Sequence, residues 1–397
     1  MNCGLDLTKS IVDLAAELVG VPSRAGIDPV EPIIDRAAAW LIDNALEPVR
    51  LFDDAQRPVA IVLEIDSGKD GPSICLNACL DTAPFGDEAR WSAPPTSGAV
   101  RDGKLWGRGA ADSKIGAAIL AHVGCTLVHN RALRRGKVYL LFDADEHSGK
   151  FDGIRAFLRF ADPLPQGVAL AYPGNDVLTI GARGILRVRL HVSGRAVHSG
   201  SINRAKTNAI SKLVRLVAEL ESTALPEERH PFFSFGPSAT VTALEGGHGF
   251  SQVPDLATCN LDLRLTPAFD RKRAETWLSA IVDEIDTRHR SPEKTAIELV
   301  EHFPAYVVDA KAPLVRTFSD AAYQAFGRAI EPNVCGPSNI GNLLAMHEIP
   351  TICGLGVGAE NIHGTNEFAD LSEIGQVFKT YYLAAQRFAD ECEPATS

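Results

Sequence analysis

Two textures share this chain, and the change between them near Arg183 limits the folds open to it. Before that point, short and nearly continuous apolar runs alternate with helical patterns. Ser73–Leu80 (SICLNACL) and Lys137–Phe142 (KVYLLF) read as strands buried on both faces. Helical spacing of apolar positions runs through Leu5–Val19 and Pro29–Ala45, and the Ala-rich Lys114–His129 is helical as well. Strands separated by helices predict a mostly parallel sheet covered on both sides.

Beyond Arg183 the period changes. Gly184–Ser193 (GILRVRLHVS) alternates every second residue, as a strand with one wet face does. A helix over Asn208–Leu220 follows, then strands at Ala239–Leu244 and Ala257–Leu265, a helix at Arg271–Asp286 and a closing strand at Thr295–Val300. That order is the split βαβ, ferredoxin-like arrangement. After about residue 306 the first texture returns, with Pro350–Leu355 as strand and Glu373–Phe388 as helix. A chain of 397 residues exceeds one ordinary core. The expected organisation is therefore an α/β domain of residues 1–183 and 306–397, interrupted by an α+β domain at 184–305.

Charge narrows the partners. Lys and Arg number 39 against 50 Asp and Glu, a net charge of -11, which repels polyanions and argues against nucleic acid. No run approaches the roughly 18 uninterrupted apolar residues that span a bilayer. The opening MNCGLDLTKSIVDLAAELVG carries acids and lacks a basic start before an apolar stretch, so it reads as an amphipathic helix. Eight cysteines (Cys3, Cys75, Cys79, Cys125, Cys259, Cys335, Cys353, Cys392) form no Cys-x-x-Cys pair. Reduced thiols and a cytoplasmic location are the expectation.

Titratable residues collect where apolar strands end, the edge at which α/β sheets place their sites. Asn77–Pro84 closes the strand from Ser73, and Asp143–Gly149 (DADEHSG) closes the strand from Lys137. Gly107–Lys114 (GRGAADSK) is a Gly-rich turn entering a helix, and Asn361–Glu367 (NIHGTNE) follows the strand Pro350–Leu355. Each segment alone is unremarkable as a turn or solvated loop. Together they suit a metal, which needs ligands converging from several loops at about 2.0–2.2 Å.

In order along nearly the whole chain, these segments resemble the metallopeptidase family of acetylornithine deacetylase, succinyl-diaminopimelate desuccinylase, aminoacylase and glutamate carboxypeptidase. The likeness rests on Gly-Arg-Gly-x-x-Asp-x-Lys at 107–114, Asp-Glu and the following position at 145–147, and Gly-Arg-Ala-x-His-Ser at 194–199. It continues with Gly-Gly and Val-Pro-Asp within 246–255, and His-x-x-Asn-Glu at 363–367. The resemblance implies a hydrolase with a catalytic domain and an inserted lid or dimerisation domain, hence a homodimer. It implies two metals sharing Asp112, one completed by positions 147 and 363 and the other by positions 79 and 172.

This chain departs from that pattern with Cys79, His147 and Tyr172. An imidazole at 147 is a ready exchange on zinc, manganese or iron, and with Asp112 and His363 it makes a two-His, one-carboxylate set. Tyr172, a phenol of reference pKa about 10, replaces a carboxylate poorly and is left as a substrate contact. Cys79 is either a thiolate ligand or a small buried thiol that fills space. The expectation is one divalent cation per chain, zinc or manganese, with the second site weak or absent.

The resemblance makes Glu146 the general base and acid, and Asp81 a support for the residue at 79 or its surroundings. His198 would stabilise the oxyanion, often in a partner subunit's site. Arg264 resembles a substrate-carboxylate clamp, and Asn208 and Asn339 are further substrate contacts. The expected reaction is hydrolysis of a C–N bond in a small amide or peptide-like molecule. Release of ammonia from an activated or aromatic amine is the alternative, and a catalytically inactive binding relative is the alternative of another class.

Overall fold

The computed structural model describes residues 3–200, 202 and 208–391. Two compact units emerge. The larger runs to Ile180 and adds Val308–Asn333 and the chain from Glu348 onward, and the smaller holds Gly181–Val307 and Val334–His347. The segment 334–347, which the sequence pattern leaves with the first domain, is tied into the smaller unit by polar bonds. Asn342 Nδ2 donates to the carbonyls of Arg183 and Pro304, and Ser338 Oγ donates to that of Arg183.

In the larger unit the sheet order is Val49–Phe52, Pro58–Asp66, Lys137–Asp143, Ser73–Cys79, Gly167–Leu170, Thr351–Gly354, Val177–Ala182. The four strands from Lys137–Asp143 to Thr351–Gly354 are mutually parallel, and antiparallel strands join on either side. Every residue of Ser73–Cys79 is buried, as its unbroken apolar run requires of a central strand. Cys79, Asp143 and Leu170 therefore end at one edge of the sheet, and the chain segments that follow them open there.

Helix Ile115–His129 packs on this sheet and against Cys3–Gly20 and Ile374–Asp390. Among the described residues, Ala110–His129 is the one helical stretch long and apolar enough to cross a membrane by composition, yet most of it is buried inside the unit. An apolar surface all round is what a core helix shows. A small sheet in the order Ala359–Glu360, Phe368–Asp370, Lys104–Trp106, Ala99–Arg101 brings the late segment beside the Gly-rich turn, with Phe368 opposite Trp106.

The smaller unit has a four-stranded antiparallel sheet, ordered Ser238–Gly246, Leu256–Leu265, Gly184–Ser193, Ala296–Phe303. Helices Ala209–Ser222 and Arg271–Arg288 cover it, burying Leu186, Leu190, Leu261 and Leu263 against Leu213, Leu216, Leu278 and Ile281. Each fully buried leucine contributes about 1.5–3 kcal/mol. Six cysteines are described as free thiols; Cys392 and the side chain of Cys3 lie outside the described residues.

Candidate metal centre

Asp112 is presented by the turn that joins the strand Lys104–Trp106 to the helix Ile115–His129. Gly109 turns with φ 81, and a Cβ there would stand 2.5 Å from Thr82 Cγ2, so glycine is required. The Asp112–Ser113 peptide is cis. Glu367 closes the turn. Its Oε1 accepts the N–H groups of Gly109 and Ala111 at 3.1 Å and of Asp112 at 3.3 Å, and its Oε2 meets Arg108 Nη1 at 2.5 Å. Arg108 Nη2 donates to the carbonyls of His363 at 3.0 Å and Gly364 at 2.9 Å. One guanidinium thus ties together the segments that carry Asp112 and His363.

His363 lies between the strands Ala359–Glu360 and Phe368–Asp370 with φ 60, a left-handed conformation uncommon outside glycine. Its Nε2 is 3.1 Å from Asp112 Oδ2. His147 follows the strand Lys137–Asp143 and places Nε2 3.6 Å from the same oxygen. The donor atoms of Asp112, His147 and His363 all fall within 4.8 Å of one another. Asp81 supports the group from beneath. Its carboxylate accepts the N–H of Glu146 at 3.1 Å and of His147 at 2.8 Å, and faces His147 Nδ1 at 3.4 Å. The support goes to residue 147 rather than to residue 79. Glu146 Oε2 stands 3.3 Å from His147 Nδ1.

The electrostatics call for positive charge. Burial would raise the Asp112 carboxyl, but neighbouring His147 and His363 hold it far below the usual carboxylate range. Burial likewise opposes a charge on His147, yet Asp112, Asp81 and Cys79 raise it well above the usual histidine value. Both of its ring nitrogens are buried without a hydrogen-bond partner among the described residues. An orphaned buried polar atom costs about 1–3 kcal/mol. A divalent cation fits this donor set, because imidazole and carboxylate both suit zinc or manganese and three ligands leave positions open. Burial pushes the Glu146 carboxyl up to about 7, against the opposing charge of His147. A carboxylate poised there can take and return a proton near neutrality.

Cys79, Asp81 and His147 also bring donor atoms within 4.8 Å of one another. This group is less suited to a second cation. Asp81 is engaged by backbone N–H groups, and His147 belongs to both sets. The Cys79 thiol lies 3.1 Å from Ser113 Oγ and 3.9 Å from Asp112 Oδ1, and burial drives its pKa up, away from thiolate. Tyr172 follows the neighbouring strand Gly167–Leu170, and its hydroxyl is buried with no partner among the described residues. Burial, then the charges of Glu146, Cys79 and Asp112, raise its pKa well above the usual phenol value.

The remaining sequence candidates lie in the smaller unit. His198 is exposed on the short strand Val197–His198, where its Nδ1 accepts the N–H of Gly200 at 3.0 Å. Arg264 Nε donates to Asp262 Oδ1 at 2.7 Å, and Nη1 lies 3.5 Å from Ser338 Oγ. The two asparagines expected as substrate contacts also cap helices through their amide oxygens. Asn208 Oδ1 accepts the N–H of Ser211 at 3.0 Å and caps the helix Ala209–Ser222. Asn339 Oδ1 accepts from Gly341 N at 2.8 Å and from the Tyr306 hydroxyl at 3.1 Å, capping Ile340–Ala345. A short amide at the start of a helix satisfies an otherwise orphaned N–H, and that use engages the oxygen.

Arg108 and Glu367 carry no role in the sequence reading, although both stand inside its motifs. Opposite charges 259 positions apart give no local signal.

Comparison with known proteins agrees with this architecture. The model of Peptidase family M20/M25/M40 matches residues 75–387. The chain is 25% identical over 387 residues to a succinyl-diaminopimelate desuccinylase of Xanthobacter autotrophicus, covering 94% of this chain and 98% of that protein. It is 28% identical over 338 residues to one from Bradyrhizobium sp., covering 81% and 84%. Among solved structures, an M20 family metallo-carboxypeptidase from Sulfolobus solfataricus aligns with TM-score 0.76 at 15% identity, covering 96% and 99%. A dinuclear metal binding peptidase of Bacillus subtilis aligns with TM-score 0.72 at 14% identity, covering 97% and 99%. At such identities the structural likeness shows the fold.

Proposed function

Since the chain belongs to Peptidase family M20/M25/M40, and is thus a metallohydrolase acting on C–N bonds, we propose that it hydrolyses a small N-acylated amino acid or peptide. One divalent cation would be held by Asp112, His147 and His363. The observation that carries this reading is the convergence of those three side chains, with the His147 ring buried among the carboxylates of Asp81, Asp112 and Glu146.

When bound, a divalent cation would supply Lewis acidity to the hydrolytic water. Glu146 takes a proton from that water as its oxygen joins the carbonyl carbon, then returns it to the departing nitrogen. The C–N bond breaks, and amide plus water become carboxylate plus ammonium. Asp81 holds the Glu146–His147 turn so that the base and the ligand keep their places. Glu367 and Arg108 do the same for Asp112.

The desuccinylase relatives favour an acidic acyl group such as succinyl. Arg264, with Nε on Asp262 and Nη1 3.5 Å from Ser338 Oγ, is the proposed clamp for a substrate carboxylate, which a planar guanidinium can meet with two bonds. His198 is the proposed oxyanion donor of the smaller unit. Because Cys79 and Tyr172 stand where a second cation would need harder ligands, we expect about one zinc or manganese per chain. We further propose a cytoplasmic homodimer that pairs along the edge strand Ala296–Phe303, whose Ile297, Leu299 and Val300 are exposed.

The test is a panel of N-succinyl and N-acetyl amino acids incubated with protein of measured metal content. Release of a primary amine with about one metal per chain is expected. Ammonia in its place would point to an aminohydrolase, and two tightly bound equivalents would refute the single-cation site. No release from any N-acyl amide would remove the N-acyl amino acid reading.

A further inference from the structure

Tyr172 is a buried polar side chain at this edge of the sheet that the preceding mechanism leaves idle. Its position is set by backbone pairing. Ala171 N donates to Asn77 O at 2.7 Å, and Leu170 pairs with both Asn77 and Cys353, so Tyr172 emerges beside the end of the strand that carries Cys79. The hydroxyl is shielded from solvent and meets no partner among the described residues. The Cys79 thiol at the neighbouring strand end lies 3.9 Å from Asp112 Oδ1, and the carboxylates of Asp112 and Glu146 act on the phenol. Orphaned polar atoms are rare in folded proteins and gather where a ligand supplies the missing partner. Here the Tyr172 hydroxyl shares that condition with Asn77 Oδ1, Thr82 Oγ1 and Asp143 Oδ2 at the same strand ends.

What arrives at Tyr172 follows from what is already around it. The carboxylates of Glu146 and Asp112 are acceptors, and a phenol in its ordinary un-ionised state offers a donor. During hydrolysis, water oxygen bonds to the carbonyl carbon and the carbonyl π pair moves onto oxygen. That oxyanion forms beside Glu146, the group that takes the water's proton. We propose that the Tyr172 hydroxyl is a catalytic hydrogen-bond donor to this oxyanion, an inference that rests on the hydrolase reading above. When the tetrahedral species collapses, the pair returns to the carbonyl, the C–N bond breaks and nitrogen leaves with the proton from Glu146. Tyr172 keeps its own proton throughout. Tyr172 belongs to the unit that also holds the base.

The test compares the native protein with Tyr172→Phe, which removes a single oxygen. The probes are an N-succinyl amino acid that the native protein hydrolyses, and the phosphinate that puts a tetrahedral anionic centre at its scissile carbon. A donor used only in the transition state predicts a fall in kcat of about 10²–10³-fold with little change in KM. The phosphinate should bind more weakly by a similar factor, with succinate bound equally well by both proteins. Metal stoichiometry and Kd should match the native protein, and the melting temperature should not fall. Retention of full kcat and phosphinate affinity overturns the proposal. So does loss of metal with tyrosinate absorbance appearing when the native apoprotein is loaded, which would make Tyr172 a ligand. A lower melting temperature overturns it as well, by showing the hydroxyl bonded within the fold. If the native protein hydrolyses no N-acyl amide, the functional reading falls and takes this inference with it; full activity in Tyr172→Phe sinks this inference alone.

Discussion

Asp81 accepts the backbone N–H of His147 at 2.8 Å while facing the Nδ1 of the same residue at 3.4 Å. One fully buried carboxylate therefore fixes both the backbone and the ring of a candidate ligand. Asp81→Asn keeps the shape and removes the charge that steadies the ring. Metal affinity should fall by about 10–100-fold, measured by calorimetric titration of zinc into apoprotein. An unchanged Kd would show that His147 needs no such support.

Glu146→Gln removes the proton carrier and leaves Asp112, His147 and His363 in place. The expected outcome is a loss of kcat of about 10²–10⁴-fold with metal content unchanged. Native-like turnover in this variant, read by amine release, contradicts the mechanism.

Breaking the Arg108–Glu367 pair should be costly for the fold. Glu367→Gln leaves a guanidinium buried at 2% exposure without its carboxylate. Removing one partner of a buried ion pair destabilises by about 3–5 kcal/mol. Urea unfolding of the full chain should show a clearly lower midpoint. Metal binding should weaken too, because Glu367 also positions the backbone of Asp112.

A pH prediction comes from the smaller unit. Lys212 Nζ meets Asp286 Oδ1 at 2.7 Å with both side chains buried, and Thr295 donates to Asp286 through its N–H and hydroxyl. Burial raises the Asp286 carboxyl, but the Lys212 and Thr295 bonds outweigh it and leave the pKa below the usual value. The folded state thus binds its proton less readily than the unfolded chain. The stabilisation is complete above an ordinary aspartate pKa of about 4, and is lost as pH falls through the lower folded value. Asp286→Asn should therefore destabilise the unit at pH 7, with a gap that closes in strong acid. Hydrogen exchange across Arg271–Arg288 at both pH values reads the gap; a gap independent of pH contradicts the assignment.

Much of the fold is legible in local pattern. The fully buried Ser73–Cys79 and the alternating Leu256–Leu265 announce themselves because a central strand and a half-wet strand impose different periods. The strands Val49–Phe52 and Pro58–Asp66 are not read from the sequence. Their place is decided by antiparallel pairing, Pro58–Asp66 against Lys137–Asp143, which is distant along the chain. Asn208 and Asn339 illustrate the converse: a polar side chain in a suggestive position is already engaged by a helix end.

The amino-acid sequence by itself determined the chemistry on offer: an aspartate, two imidazoles and a glutamate at strand ends, with a thiol and a phenol beside them. Side-chain type and strand period are local properties, and local properties survive in one dimension. Only the tertiary structure decided which atoms meet, that Asp81 serves His147, that Arg108 and Glu367 lock the Gly-rich turn, and that the Tyr172 hydroxyl has no partner among the described residues. Those relations depend on contacts such as Phe368 opposite Trp106, whose register is set by packing of the whole unit.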